Sequence, residues 1–476
     1  MSIQSDLIIE IEKFCRETGI AESTFGRRVV NDGKFVGRLR DGKGITLSTV
    51  SKIKNYLSSI KYNATSSNIK KIERADFKHS LKSTNKIKKQ NNLLQETSDL
   101  KKSAFRFYDN RQKYLMFVNT CNEKWVVAER VGLELAHIHP TPPSLRLFDA
   151  GMGDGTVITS VMREMHRRFR NLPFYIVGKE ISLEDVRLSL EKMSDRFYEH
   201  PATVLVVTNL YYTEAPWLSP RTMKAAATLN WMNVSLKGDS AHEFHDQIKE
   251  LQPMLAESWQ VESSTKTGNP LYVRPSVLVL YREDQKFLLD QVIPKPAQNR
   301  ADYDLVIASQ PYRSRMPTDF KVKKVISPLA KSLGPGGRLL GIHSIGGDPG
   351  LDIIKSIWPD ENPFVTNRHD LLKNLKKELG NAHSDLNYKT NSDKRSLFRY
   401  FMHTLPNEVG KNENRIGTST LLAAWNAVTY VAQIEDERLE TIMNNHSYLD
   451  ATRQVLVENK GLWFNDESYV VSRKFR

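Results

Sequence analysis

From Leu145 onward, short runs of Val, Ile and Leu alternate with amphipathic segments, and this alternation limits the possible folds more than any other feature of the chain. The runs are "LRLFDAG", "FYIVGKEI", "TVLVVTNL", "YDLVIASQPY" and "GRLLGIHSI", with segments such as "SLEDVRLSLEKMSDRFYEH" between them. Strands apolar on both faces and separated by helices predict an α/β fold whose parallel sheet is covered on both sides. Roughly ninety residues separate "TVLVVTNL" from "YDLVIASQPY", too many for a single crossover. An inserted subdomain is therefore expected at about 217–300, built from "AHEFHDQIKELQPMLAESWQ" and the strand-like "YVRPSVLVLYRE". Beyond about residue 351 the pattern is mainly helical, including "TSTLLAAWNAVTYVAQIEDERLETIMNN", and it ends in "GLWFNDESYVVSRKF", a closing hairpin or strand.

A chain of 476 residues exceeds one ordinary core, so two or three domains are expected. Residues 5–58 carry Leu7, Ile11, Phe14 and then Leu47, Val50, Ile53, Leu57 at helical spacing. Between them, "AESTFGRRVV" and "KFVGRLRDG" flank the turn signal "NDG", the pattern of a small helix-turn-helix domain over 1–60. Residues 61–102 are rich in Ser, Asn and Lys with no sustained period, which predicts a basic linker. The remainder, 103–476, reads as one large domain with a helical lead-in that stops at "HPTPP". The formal charge of +14 is uneven, because residues 1–100 hold 19 Lys and Arg against 11 Asp and Glu.

Several classes are excluded on composition. No apolar run approaches the ~18 to 20 residues that cross a bilayer, and acids interrupt the apolar segment of "MSIQSDLIIEIEKFCRETG", unlike a signal peptide. A cytoplasmic protein with no membrane partner is the expectation. Cys15 and Cys121 form no CxxC or His/Cys pattern, and His242 and His245 lack a third ligand, so no metal is expected.

The stretch "LRLFDAGMGDGTVITS" places Asp149, Gly151, Gly153 and Gly155 between a strand and a helix start, where backbone N–H groups approach a ligand closely. Its spacing is neither the G-x-G-x-x-G of a dinucleotide loop nor a P-loop with its lysine. "FDAGMGDGT" resembles motif I of the class I S-adenosylmethionine-dependent methyltransferases. The resemblance covers roughly 145–350 and implies a Rossmann-like sheet with S-adenosyl-L-methionine as cofactor. It makes Asp149 the acid of the loop, Glu180 in "YIVGKEIS" the acceptor of both ribose hydroxyls, and Asn209 in "LVVTNL" a neighbour of the adenine amine. A carboxylate suits the ribose because it accepts two O–H donors and has none of its own to leave unpaired.

At the end of the fourth run, "SQPY" resembles the corner of amino-directed methyltransferases, with Gln in place of a first proline. The resemblance implies that Ser309, Pro311 and Tyr312 orient an acceptor amine on nucleic acid or protein; the other reading is a turn that only lines the pocket. "TFGRRVVNDGKFVGRLRDGKGITLSTVSKI" resembles the helix-turn-helix of Cro and phage repressors, which implies DNA contacts from Arg27, Arg28, Lys34, Arg38 and Arg40. So short a recognition helix reads few bases, and operator recognition would call for a homodimer. Two functions fit these signals. One is a methyltransferase acting on an acceptor that the sequence does not name, and the other is a DNA-binding regulator whose methyltransferase-like domain binds the cofactor without turnover.

Overall fold

The computed structural model describes residues 7–8, 10–12, 14–15, 22–30, 32–41, 49–50, 53, 111–264, 270–298, 300–403, 416–443 and 447–475. The expected linker, 61–102, lies wholly outside them. Two compact units, Met1–Gln95 and Glu96–Arg476, make up the chain.

In the first unit, helices α1 (Glu22–Val30) and α2 (Phe35–Arg40) pack on a small core of Leu7, Ile11, Phe14, Phe25, Val36, Leu39 and Ile53. The turn between them folds back on Gly26, where a Cβ would meet the Asp32 carbonyl oxygen at 2.3 Å. The segments that would complete a helix-turn-helix fall largely outside the described residues.

The second unit is built on a ten-stranded sheet. In chain order its strands are β1 (Leu145–Asp149), β2 (Phe174–Lys179), β3 (Thr203–Thr208), β4 (Asn230–Leu236), β7 (Ser276–Arg282), β8 (Tyr303–Ser309), β9 (Leu333–Ser344), β10 (Leu386–Lys389), β11 (Leu397–Phe401) and β12 (Trp463–Arg473). A separate two-stranded ribbon, β5 (Val261–Ser263) and β6 (Pro270–Tyr272), stands apart from it. The spatial order is β10-β12-β9-β8-β1-β2-β3-β7-β4, with β11 also on β12. The central five strands, β9-β8-β1-β2-β3, run parallel; β7 joins β3 antiparallel and pairs with β4 in parallel, and β12 joins β9 antiparallel.

Side-chain alternation divides two cores between the faces. Leu147, Leu205 and Leu305 face one core with helices α4 (Glu123–Glu134), α5 (Thr156–Arg168) and α6 (Leu183–Glu191), while α3 (Arg111–Thr120) gives Phe117 to another. Their neighbours Phe148, Val204 and Val306 face the other core, against Ile326, Leu329, Leu371 and Leu375. Both faces are apolar because both are covered, as the uninterrupted apolar runs require.

The stretch expected as a subdomain at 217–300 is built into the same structure. Its helices α7 (Ala241–Glu250) and α8 (Gln252–Ser258) give Phe244, Ile248 and Leu255 to the first core, and β7 and β4 extend the sheet beyond β3. β7 is buried along its whole length, so it needs partners on both sides. A third core gathers α3, α9 (Pro349–Ile357), α11 (Thr418–Val431) and α12 (Ser447–Asn459) around Phe117, Ile354, Val428, Leu456 and Phe464. No described helix is long and apolar enough to cross a membrane.

Candidate functional site

The chain runs from β1 outward to β2 and β3, then returns to the other side of β1 for β8 and β9. The order reverses at β1, and open α/β sheets bind ligands at the carboxyl ends of the strands at such a reversal. The glycine loop and the "SQPY" corner both lie there, on neighbouring strands: Asp149 pairs with Ile307, and the Ala150 N–H donates to the Ile307 carbonyl at 2.9 Å.

The loop is fixed from several sides. The Gly151 N–H donates to Asp149 Oδ1 at 3.1 Å, and the Met152 N–H to the Lys179 carbonyl at 3.1 Å. Glu180 closes the cradle: its Oε2 accepts from the Gly153 N–H at 2.9 Å, and its Oε1 accepts from the Ile181 and Ser182 N–H groups at 2.8 Å each. Its carboxylate thus organises the loop, and Oε2 keeps lone-pair capacity for a further donor. Gly155 starts α5 at φ +79°, where a Cβ would meet Ser189 Cα at 2.8 Å, so only glycine fits. Lys192 Nζ secures the far side by donating to Asp154 Oδ2 at 2.7 Å and to Thr156 Oγ1 at 2.8 Å. Burial opposes ionisation of Asp154, yet these donors hold its carboxyl below the usual range.

Asp149 differs from Asp154. Burial pushes its pKa up to about 6, against the pull of the Gly151 N–H and the Lys124 ammonium. Asp185, at the start of α6, is also pushed up to about 6, by burial and by the nearby Glu180 carboxylate, although Arg111 pairs with it at 2.6 Å. A buried acid that gains an adjacent cation returns toward its ordinary range, so this part of the site favours a positively charged group.

Helix α3 covers the loop. Arg111 reaches Asp185, and Tyr114 Oη stands 3.0 Å from the position of a Cβ on Gly153. Tyr114 Oη and Asp185 Oδ1 are both buried without a hydrogen-bond partner, which marks polar capacity directly over the loop. The sequence pattern did not single out Arg111, Tyr114, Lys124 or Asp185; they come from the lead-in helices and α6, and no local motif ties them to the loop.

The other expected residues fall as follows. Asn209 is fully buried, and its amide is committed to the fold: Nδ2 donates to the Arg274 carbonyl at 2.9 Å and the Ser258 carbonyl at 3.3 Å, while Oδ1 accepts from the Ser276 N–H at 2.8 Å. In place of a contact to an adenine amine, it joins β3 to β7 and to the end of α8. Ser309 ends β8, half-buried, and Pro311 is buried. Between them Gln310 takes the left-handed φ of +47°, a conformation that costs a non-glycine residue energy. Its side chain offsets this through Nε2 donations to Ser344 Oγ at 3.0 Å and Asp466 Oδ2 at 3.2 Å. Asp466 is fully buried and pushed up to about 8 by burial, with the nearby Glu123 carboxylate adding to the shift.

Tyr312 is not a free ring. Its hydroxyl lies 2.6 Å from His343 Nδ1, and it lines a small cleft of about 10 Å³, room for about one water molecule. In the N-terminal unit, Lys34 is exposed just before α2, Arg38 pairs with Asp32, and Arg40 pairs with Glu12 at 2.6 Å and Glu22 at 2.9 Å. Arg27 and Arg28 lie on α1, with side chains outside the described residues. His242 and His245 are both exposed on α7.

The fold and site together define an open, doubly wound α/β protein with a ligand cradle at its switch point. No family model and no curated protein matches the chain. Among solved structures it is similar to a geranyl diphosphate methyltransferase in complex with GPP and sinefungin, at 13% identity over 72% of this chain and 77% of that one, with a TM-score of 0.26. A putative sarcosine dimethylglycine methyltransferase from Galdieria sulphuraria is similar at 11% identity over 73% and 85%, with a TM-score of 0.27. The rRNA methyltransferase aviRa from Streptomyces viridochromogenes is similar at 12% over 46% and 72%, with a TM-score of 0.18. Similarities this weak fix neither fold nor chemistry, which rest on the strand order and the loop.

Proposed function

We propose that this chain is an S-adenosylmethionine-dependent methyltransferase. The observation that carries the reading is the cradle at the switch point, where Gly151 and Gly153 approach closely, Asp149 lies buried beneath, and Glu180 braces the loop through Gly153. Glu180 Oε2 retains capacity for a ribose hydroxyl, and Asp149 and Asp185 suit a cofactor with an ammonium and a sulfonium charge. Tyr114 Oη and Asp185 Oδ1, buried and unpartnered over the loop, supply polar contacts of the kind such a ligand would use.

When bound, the cofactor supplies an electrophilic methyl group. The chain's own part is to hold it, to exclude water beneath α3, and to orient an acceptor at the corner of Ser309 to Tyr312 on the next strand. The acceptor is proposed to carry an amine or a hydroxyl. Isothermal calorimetry with S-adenosylhomocysteine tests the cofactor half: wild type is expected to bind and Glu180→Ala to bind at least ten-fold more weakly. No heat with wild type would overturn the reading. Incubation with methyl-labelled cofactor and separated nucleic acid, protein and small-molecule fractions of the host identifies the acceptor.

A further inference from the structure

Behind the corner, a chain of buried groups runs from Tyr312 into the sheet. Tyr312 Oη lies 2.6 Å from His343 Nδ1, and His343 Nε2 lies 2.8 Å from Glu467 Oε1. Glu467 Oε1 also accepts from the Arg368 backbone N–H at 2.5 Å, and its Oε2 from the Arg368 guanidinium at 2.7 Å. Arg368 in turn pairs with Asp393. His343, Glu467 and Arg368 come from β9, β12 and α10 (Arg368–Leu379), and each is less than 5% exposed.

The hydrogen-bond directions follow from charge. Burial opposes ionisation of Glu467, but His343 and Arg368 hold its carboxyl below the usual range, so it only accepts. His343 therefore keeps a proton on Nε2, and its Nδ1 carries the lone pair that receives the Tyr312 hydroxyl proton. The Tyr469 hydroxyl also approaches the phenol oxygen, which keeps one lone pair for the cleft that Gln310, Ser314, Lys321, Phe364 and Thr366 also line. Holding Arg368 would require only Glu467. The histidine between Glu467 and a phenol that lines a cleft is the arrangement of a nucleophile-activating triad, with the third group orienting the base.

We infer that Tyr312, His343 and Glu467 form a proton relay, with Tyr312 Oη meeting an acceptor whose reacting oxygen or nitrogen arrives carrying a proton. The inference rests on the methyltransferase reading. In the step it describes, the acceptor's lone pair forms the bond to the methyl carbon while the carbon–sulfur bond breaks and its electron pair stays on sulfur. The acceptor's proton goes to Tyr312 Oη as the phenol's own proton passes to His343 Nδ1, and the resulting imidazolium lies against the Glu467 carboxylate. No phenolate stands at any point, in keeping with a phenol that burial pushes well above its ordinary range. Lys321 Nζ, 5.0 Å from the Tyr312 ring centroid, adds positive potential where the phenol oxygen gathers charge in transit. Tyr312 is the catalytic residue of this relay; His343, Glu467 and Arg368 are positioning residues.

The test compares wild type, Tyr312→Phe and His343→Gln in three measurements: S-adenosylhomocysteine binding by calorimetry, methyl transfer to whichever host fraction wild type labels as a function of pH, and the ¹⁵N signals of His343 in the unliganded protein. Both variants are expected to bind S-adenosylhomocysteine within two-fold of wild type. Both are expected to lose transfer about 100-fold near neutral pH, and to recover part of it as the acceptor sheds its proton to solvent at higher pH. In wild type the proton is expected on Nε2 and absent from Nδ1. Equal transfer by Tyr312→Phe, an unchanged pH profile, or a proton on Nδ1 overturns the relay and leaves the methyltransferase reading standing. A wild type that neither binds S-adenosylhomocysteine nor transfers overturns that reading and the relay with it. If Tyr312→Phe loses its fold, the position of the His343 proton decides the question alone.

Discussion

At the scale of single residues, Glu180 and Asp466 carry the most information. Glu180 was expected as a ribose acceptor, and the structure adds that its carboxylate already receives three backbone N–H groups, one from the glycine loop. Replacing it with alanine leaves those donors without their charged acceptor, so about 2 to 3 kcal/mol of stability is expected to go along with cofactor affinity. Urea unfolding of Glu180→Ala beside wild type measures this, and Glu180→Gln, which keeps an acceptor oxygen, should lose less. Asp466 yields a prediction of pH dependence. Its pKa in the folded chain, about 8, lies far above the ordinary aspartate value. Between those values the folded chain binds a proton that the unfolded chain has released. The contribution of this group to stability is therefore full below about pH 4, and it falls as pH rises toward 8, by on the order of 1 kcal/mol per pH unit at most. Asp466→Asn should flatten the decline of melting temperature between pH 5 and 8; an equally steep decline in the variant would show that Asp466 is not its source.

At the scale of elements, one buried amide reinforces the β3–β7 ladder that attaches β7 and β4 to the parallel strands. Asn209 uses both N–H groups and its oxygen to tie the end of β3 to Ser276 on β7, to the Arg274 carbonyl and to the end of α8. Asn209→Ala removes the acceptor of the buried Ser276 N–H and one of the donors to the Ser258 and Arg274 carbonyls, an effect expected to cost about 1 to 3 kcal/mol. Hydrogen exchange should find the loss of protection concentrated in β4, β7 and α8, while S-adenosylhomocysteine binding changes little, since the amide is fully buried and all its partners lie in the backbone of β7, its approach and α8. A large loss of affinity would restore Asn209 to the binding site. Gly155 makes the companion case at the start of α5. Its positive φ and the approach of the Ser189 backbone leave no room for a side chain. Gly155→Ala is expected to cost at least about 1 to 3 kcal/mol and to disturb the start of α5.

At the scale of the whole molecule, what could be read from the sequence follows the range of the interactions that hold each part. The five runs expected as strands are the five central parallel strands, because a strand buried on both faces announces itself within a few residues. The glycine loop and Glu180 were legible for the same reason, since they close one another across a single α/β unit. Within residues 217–300 the helices and β7 were legible, but their place in the main sheet and β4 were not, since β4 shows an indistinct, half-buried pattern and its place is set by β7, some forty residues on. The relay was equally hidden: His343 and Glu467 meet only because β12 returns antiparallel to β9 with those two residues in register. The same locality argument separates the two units. Residues Glu96–Arg476 contain the cradle, the corner, the relay and three cores, while the N-terminal helices pack around a core of their own. A chain beginning at Glu96 is therefore expected to fold, and to bind S-adenosylhomocysteine with the affinity of the full chain to within about three-fold, as measured by calorimetry on both. A ten-fold or greater loss would show that the basic N-terminal unit takes part in holding the cofactor, and its role would then have to be sought at the cradle as well as on nucleic acid.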